Sequence, residues 1–293
     1  MSFENVLQCP ICNGSSFHPL LISKDYTTTG EVFHVEQCDD CSMVLTNPRP
    51  NSKDASFYYK STNYISHTSS AKGWLDHIYL IFRRLTLRWK HSLIKPYLQQ
   101  NLLLDVGGGT GQFLAYCKEQ GVNVYGVEPS ESARSHSQGI TITETIDALP
   151  DIKFDVITLW HVLEHVYELQ SILSKLKARL SDNGIIFIAV PNWQSYDATH
   201  YKEMWAAYDV PRHIWHFSKE SMNKLLANNG LKLKGIIPMK LDAYYVSLLS
   251  EKNIGHGKLS PTNVLRGVTQ GFRSNLKGAR NMNQSSLIYL AVK

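Results

Sequence analysis

The chain has 293 residues, of which 43% are apolar and 19% charged, with five cysteines and a formal net charge of +5. That length and apolar content suffice for one large folded unit with an appendage and exclude a disordered chain. No apolar run reaches the roughly 18 residues of a membrane span, and residues 1–5 lack the basic and apolar regions of a secretion signal, so a cytoplasmic location is expected.

The first element is a pair of turns, Cys9-Pro10-Ile11-Cys12 and Cys38-Asp39-Asp40-Cys41, with 25 residues between them. Two such turns supply four thiolates in a tetrahedron, the spacing of a zinc ribbon. A disulfide framework is disfavoured without a secretion signal. Four protein ligands leave no coordination position for water, so Cys9, Cys12, Cys38 and Cys41 are expected to hold a structural Zn2+. Asn47-Pro48-Arg49-Pro50 ends the unit and bounds a ribbon over 1–50.

A helical linker or cap is expected over 51–98. Leu75, Ile78, Phe82, Leu85 and Trp89 recur at helical spacing within a helix from about 70 to 98, and Arg84, Arg88, His91 and Lys95 form a basic stripe beside them. The helix reads as one packed on the domain with a solvated face. Its two tryptophans and flanking arginines also suit a peripheral membrane contact or a lipid-linked substrate through residues 72–95, with RNA as a third reading.

The run Leu102-Leu103-Leu104-Asp105-Val106-Gly107-Gly108-Gly109-Thr110-Gly111 puts an acid and alternating glycines where a buried strand turns into a helix. Glycines let the backbone approach a ligand closely, and the helix start offers unpaired amides. A dinucleotide fingerprint would need a third glycine where Gln112 or Leu114 stands, so NAD is disfavoured. A second strand, Val122 to Val127, ends at Glu128; Phe154 to His165 and Asn183 to Pro191 supply two further strand motifs. Strands are expected near 102–106, 123–127, 140–143, 155–160 and 184–190, and helices near 111–120, 130–138, 167–180 and 218–229. This alternation implies a parallel, doubly wound sheet. Cys117, in the helix after the glycines, reads as a small buried side chain.

These four ordered motifs resemble those of the class I S-adenosylmethionine-dependent methyltransferases, over residues 100–195. The resemblance implies a Rossmann-like, seven-stranded, mostly parallel α/β sheet with an antiparallel last strand, completed at Leu231–Pro238 and Ser286–Val292 within a domain spanning 99–293. It implies S-adenosylmethionine as cofactor, held at Asp105, Gly107, Gly109 and Gly111, with Glu128 accepting both ribose hydroxyls and Trp160 and His161 lining the pocket. Asp147 stands where the family often lines the adenine pocket and reads equally as a solvated loop acid. Tyr64, with Tyr59, either covers the cofactor or packs the ribbon on the domain. Simple members join the last two strands by a hairpin; here residues 239–285 intervene with a basic cluster, Tyr244 and Tyr245, a length that points to a substrate-side insertion.

Methyl transfer from a sulfonium mainly requires alignment, but a hydroxyl acceptor must also lose a proton, for which histidine suits neutral pH. His161 and His165 are four apart, expected on one face of a helical turn with Glu164 between them, as pocket lining or catalysts. As a metal site this HxxEH string lacks another obvious ligand. His213, in Asp209-Val210-Pro211-Arg212-His213-Ile214-Trp215-His216-Phe217-Ser218, is the sharper candidate base, just before a helix that Ser218 would cap. Arg212 reads as a phosphate or carboxylate clamp. The segment resembles a loop of zinc-ribbon sugar C-methyltransferases in which an acid-histidine pair precedes Phe-Ser; Arg212 replaces the acid, which argues against carbon as acceptor. The resemblance to zinc-ribbon methyltransferases of surface-polysaccharide and deoxysugar pathways implies O-methylation of a small-molecule or lipid-linked sugar. An RNA methyltransferase is the alternative, opposed by the acidic ribbon, so nucleic acid is not expected as a partner. A non-catalytic binding module is opposed by the intact Asp105, glycines and Glu128.

Overall fold

The computed structural model describes residues 1–59, 74–137 and 139–293, and within the helix Trp74–Ile94 the side chains from Arg84 onward. Tyr64 and the side chains of Leu75, Ile78 and Phe82 lie outside the described residues.

The N-terminal unit contains β1 (Phe3–Glu4), β2 (Phe17–Lys24), β3 (Val32–Cys38), β4 (Val44–Thr46) and β5 (Arg49–Pro50). β1 pairs with β5, while β2, β3 and β4 form an antiparallel sheet. Alternation shapes β3: Phe33 and Val35 are buried, Val32 and His34 exposed. Helix α1 (Trp74–Ile94) gives way to a 3-10 turn, Lys95–Tyr97, at Pro96, whose ring does not fit an α-helix interior.

The alternating half follows as β6 (Leu102–Val106), α2 (Gln112–Glu119), β7 (Asn123–Val127), α3 (Glu131–Arg134), β8 (Thr141–Thr143), β9 (Phe154–Trp160), α4 (Leu169–Arg179), β10 (Leu180–Pro191), α5 (Tyr196–Tyr201), β11 (Trp215–His216), α6 (Lys219–Asn228), β12 (Lys232–Pro238), α7 (Lys240–Ile254), α8 (Pro261–Gly278) and β13 (Ser286–Val292). Seven strands form one sheet in the order β12-β13-β10-β9-β6-β7-β8, with β13 antiparallel to both neighbours and the other pairings parallel. This is the expected Rossmann-like α/β sheet. β6, β9 and β10 are apolar runs because both faces are covered. One core joins Ile157, Leu159 and Ile188 to α4 and α6; the other joins Leu103, Val156 and Phe187 to α1 and α2 through Ile94 and Leu114. Cys117 is fully buried in the second core. The helix expected at 130–138 is the single turn α3, and β10 starts at Leu180 rather than 184, with its register shifting before Ile185.

The ribbon is built into this domain. Trp215 and His216 of β11 pair antiparallel with Leu45 and Val44 of β4, so the ribbon sheet takes its fourth strand from the loop before α6. Cys9, Cys38 and Cys41 belong to the same core as Ile157 and Phe217, and Gln170 and Asn228 donate side-chain hydrogen bonds to the carbonyls of Pro10 and Ile11.

Between β12 and β13, α7 and α8 form a helical hairpin. The inner face of α8 is small and polar, with Gly267, Gln270, Gly271, Ser274 and Gly278 buried. A Cβ on Gly271 would come within 2.7 Å of Tyr244 Cα, so glycine sets the close approach to α7. Its apolar residues face outward: Val264, Leu265, Val268, Phe272 and Leu276 are all exposed, as are Arg266, Arg273 and Lys277. Among the described residues no helix is long and apolar enough to cross a membrane.

Candidate active site

The glycine loop leaves β6 with positive φ at Gly107 (70°), Gly109 (53°) and Gly111 (77°), a region costly for residues with a Cβ. A Cβ on Gly107 would strike Val162 Cγ2 at 2.4 Å, whereas one on Gly109 would meet nothing within 4 Å, so Gly109 faces open space. The Glu128 carboxylate, at the end of β7, accepts hydrogen bonds from the Gly109 and Ser130 amides, each at 2.9 Å. Beneath the loop, Asp105 is buried and accepts a 2.6 Å bond from Thr158 Oγ1. Burial pushes its carboxyl up to about 7, against the pull of that bond and of Lys90. Trp160 packs edge-on to Phe113 with ring centroids 5.6 Å apart and carries Lys90 Nζ 4.4 Å above its ring. Burial holds the Lys90 amine below its ordinary range, with Asp105 and Asp242 opposing. Asp147 is exposed in the turn after β8 and bonds Lys175 at 2.5 Å.

Past β9 the chain departs from the expected helical turn. His161 has φ 57° and only Leu163–His165 form a 3-10 turn, so His161 and His165 do not share a helical face. The left-handed residue reverses the chain and sends the two rings to different partners. His161 lies between two acids, Nδ1 3.3 Å from Glu164 Oε1 and Nε2 2.8 Å from Asp242 Oδ2 of α7. Burial alone would lower its pKa, but the two carboxylates override it and raise the imidazole to about 10, leaving it charged. His165 Nδ1 lies 2.9 Å from the Arg212 carbonyl and 3.0 Å from Tyr59 Oη. A bare Nδ1 would set two acceptors face to face at Arg212, so Nδ1 carries the proton. Burial, reinforced by His213, lowers this ring to about 4 and keeps it neutral.

His213 stacks edge-on to His165, with ring centroids 4.6 Å apart. Its Nδ1 donates to the Ala207 carbonyl at 2.8 Å, so Nε2 is the lone-pair atom of the neutral ring, 4.0 Å from Glu164 Oε1 and 3.9 Å from Asp209 Oδ2. Ser218 caps α6 in a capping box with Ser221. Arg212 is not an open anion clamp. Its guanidinium is wholly buried and donates to Asp209 (2.6 and 3.0 Å), Asp25 (2.9 Å), the Tyr58 carbonyl (3.1 Å) and Thr28 Oγ1 (3.3 Å). Internal ion pairing wins because a buried guanidinium is stable only with its donors satisfied.

The four ribbon cysteines are free thiols whose sulfurs all lie within 4.8 Å of one another, with Cys9 and Cys41 3.4 Å apart and Cys12 and Cys38 3.5 Å apart. Each turn closes on a left-handed residue, Asn13 (φ 62°) and Ser42 (φ 61°), that bonds back to the first cysteine of its pair. Burial raises the Cys9 thiol to about 11 and Cys41 further, so without a cation these two sulfurs stay protonated. Sequence spacing missed Lys90, Thr158, Asp242 and Asp25, each of which arrives from a distant element.

A family model described as a methyltransferase domain matches residues 75–234, more than half of the chain. Among similar proteins, a ubiquinone biosynthesis O-methyltransferase of Histophilus somni (strain 2336) is 36% identical over 111 residues, 32% of this chain and 47% of the relative. One from Bradyrhizobium diazoefficiens is 28% identical over 147 residues, 44% and 57% of the two chains. The chain thus spans about half the length of the relatives it matches. Among solved structures, magnesium protoporphyrin IX methyltransferase from Synechocystis PCC 6803, with bound S-adenosylhomocysteine, is 15% identical with a TM-score of 0.51, covering 80% of this chain and 96% of that one. Geranyl diphosphate C-methyltransferase from Streptomyces coelicolor A3(2) is 12% identical with a TM-score of 0.50, covering 77% and 87%. These two share the fold.

Proposed function

The chain belongs to the methyltransferase-domain family, with S-adenosylmethionine as methyl donor, and from that premise we propose that it methylates a hydroxyl of a sugar or glycoconjugate, free or lipid-linked, in a surface-polysaccharide or related biosynthetic pathway. The donor supplies a methyl group on a positively charged sulfur. Gly107, Gly109 and Gly111 offer it a backbone without side chains, and Gly109 fronts the open space it needs. Glu128 accepts the ribose hydroxyls, Asp105 supports the loop from below, and Trp160 and His161 form the wall. Asp147 serves the adenine by leaving Lys175.

The cluster of Glu164, His165 and His213, two of them buried and His165 half-buried, carries the choice of oxygen. A hydroxyl must shed its proton as the methyl arrives, and His213 Nε2 is a lone pair with no hydrogen bond among the described residues. The relatives' names, O-methyltransferases of ubiquinone biosynthesis, support the same atom. The outward face of α8 supports a lipid-linked acceptor, because its apolar stripe with Arg266, Arg273 and Lys277 beside it complements an anionic bilayer surface. Cys9, Cys12, Cys38 and Cys41 hold Zn2+ as a structural ion.

Incubation with S-adenosylmethionine and a panel of nucleotide-linked and lipid-linked sugars should give a product one methyl heavier by mass spectrometry. His213→Asn should slow turnover by roughly 10²- to 10⁴-fold while calorimetry finds donor affinity nearly unchanged. Absence of donor binding to the wild type would sink the reading, and methylation of RNA in place of sugars would replace the acceptor.

A further inference from the structure

We propose that Glu164, His165 and His213 form a second metal site, for a divalent transition-metal ion whose open coordination positions take the acceptor's oxygen. It rests on the reading of this cleft as the acceptor side and assigns the cluster a ligand of its own.

One ligand atom from each of the three residues lies within 4.8 Å of the other two. Metal-bound imidazoles characteristically donate their second nitrogen to a carbonyl or carboxylate, which fixes the tautomer and aims the lone pair. Both rings here are held that way, His165 Nδ1 by the Arg212 carbonyl at 2.9 Å and His213 Nδ1 by the Ala207 carbonyl at 2.8 Å. Each therefore has Nε2 to offer. Glu164 supplies the third donor: its side chain is 1% exposed, Oε1 faces the His161 ring, and Oε2 is buried with no hydrogen-bond partner among the described residues. A buried carboxylate oxygen left unsatisfied is costly, and a cation satisfies it.

The donor set narrows the ion. Two imidazoles and one carboxylate suit Zn2+, Mn2+, Fe2+ or Co2+, and three protein ligands leave positions for solvent or substrate, unlike the closed site of four thiolates. Ions bond such donors at about 2.0–2.2 Å, so the three side chains close inward on binding by rotation about their terminal torsions. With an ion bound, His213 Nε2 is a ligand and no longer the proton acceptor: an oxygen on such an ion ionises nearer neutral pH, and its proton passes to solvent. Asp209 is not a ligand, since Arg212 holds both its oxygens. His161 is not one either, because both its nitrogens face carboxylates. This is why the HxxEH string alone points to the wrong pair: the second imidazole comes from the loop before α6.

Mn2+ is the probe, because it favours oxygen and nitrogen donors over the ribbon's thiolates. The full chain, purified with its ribbon zinc and freed of weakly held metal, is titrated with Mn2+ while electron paramagnetic resonance reads the free ion, and calorimetry measures S-adenosylmethionine binding on the same sample. One Mn2+ per chain is expected, with affinity falling tenfold or more in both Glu164→Gln and His165→Asn and donor binding intact in each. Mn2+ binding unaltered by both substitutions would overturn the site. So would failure of Mn2+, Co2+ and Zn2+ alike to bind beyond the ribbon ion. In either case, donor binding would leave the methyltransferase reading standing, whereas a chain that takes Mn2+ at these residues but no donor would sink that reading and keep the site.

Discussion

Arg212 uses all five of its N–H donors inside the protein, and two of its partners, Asp25 and Asp209, are acids. Arg212 and Asp25 have wholly buried side chains, so neither charge has solvent to fall back on. Replacing one partner of such a pair costs about 3–5 kcal/mol, mostly because the other charge is stranded. Arg212→Met should therefore lower unfolding stability in denaturant by that order, and Arg212→Lys should recover only part, lacking the planar fork. The pH dependence follows from Asp25: burial would raise its carboxyl, but Arg212 and the Thr27 and Thr29 amides override this and hold it below its ordinary value. A depressed acid contributes stability above its unfolded pKa and loses it as pH falls through the folded value. With Arg212 gone, burial raises the Asp25 carboxyl in the variant, so the gap between wild type and Arg212→Met should be widest at neutral pH and above and shrink as pH falls into the acid range; a gap that widens in acid would refute the pairing. At this scale the sequence is least legible. Arg212 looks like an anion clamp because residue type and a polar neighbourhood are all that spacing reveals, while one of the two acids that occupy it, Asp25, lies in the ribbon. Asp242 and Lys90 escape notice for the same reason.

Elements with a local period are a different matter. β6, β7 and β9 are apolar runs bounded by glycines or turns, and their observed ends fall within a residue of those expected. β11 has two residues and no period, so only its pairing partner defines it. α8 has a strong helical period, but periodicity does not say which face is inside. Gly267 and Gly271 reverse the usual order by bringing the backbone against α7, which turns the apolar face outward, while Gly278 sits against the chain at Asn283 and Gln284. Leu265 is 69% exposed and Phe272 53%, so changing them leaves the fold intact. The wild type should sediment with vesicles containing phosphatidylglycerol, less so at high salt and not with pure phosphatidylcholine. Leu265→Asp with Phe272→Asp should weaken this at least about tenfold, given about 1.5–3 kcal/mol per large apolar side chain withdrawn from water. Equal binding by the double variant would remove α8 from any lipid contact.

For the whole molecule, the decisive feature is that hydrogen bonds tie the ribbon to the loop before α6. Thr46 of β4 donates from its hydroxyl to the His213 carbonyl at 2.8 Å and from its amide to the Ile214 carbonyl at 3.1 Å, while the Ile214 amide reaches the Glu164 carbonyl at 2.9 Å. The glycine loop and Glu128 lie at β6 and β7, away from these bonds. Zinc held by four thiolates contributes directly to folding, since the unfolded chain has no assembled site. Cys38→Ser should therefore release the zinc, loosen β4, and take the support from β11 and His213. Hydrogen exchange should show lost protection at residues 213–216, and turnover should fall by an order of magnitude or more, while calorimetry finds S-adenosylmethionine affinity close to that of the wild type. A variant that loses zinc yet keeps protection at 213–216 and full turnover would mean that the catalytic domain holds the loop by itself. Loss of donor binding together with turnover would mean instead that the ribbon supports the entire sheet.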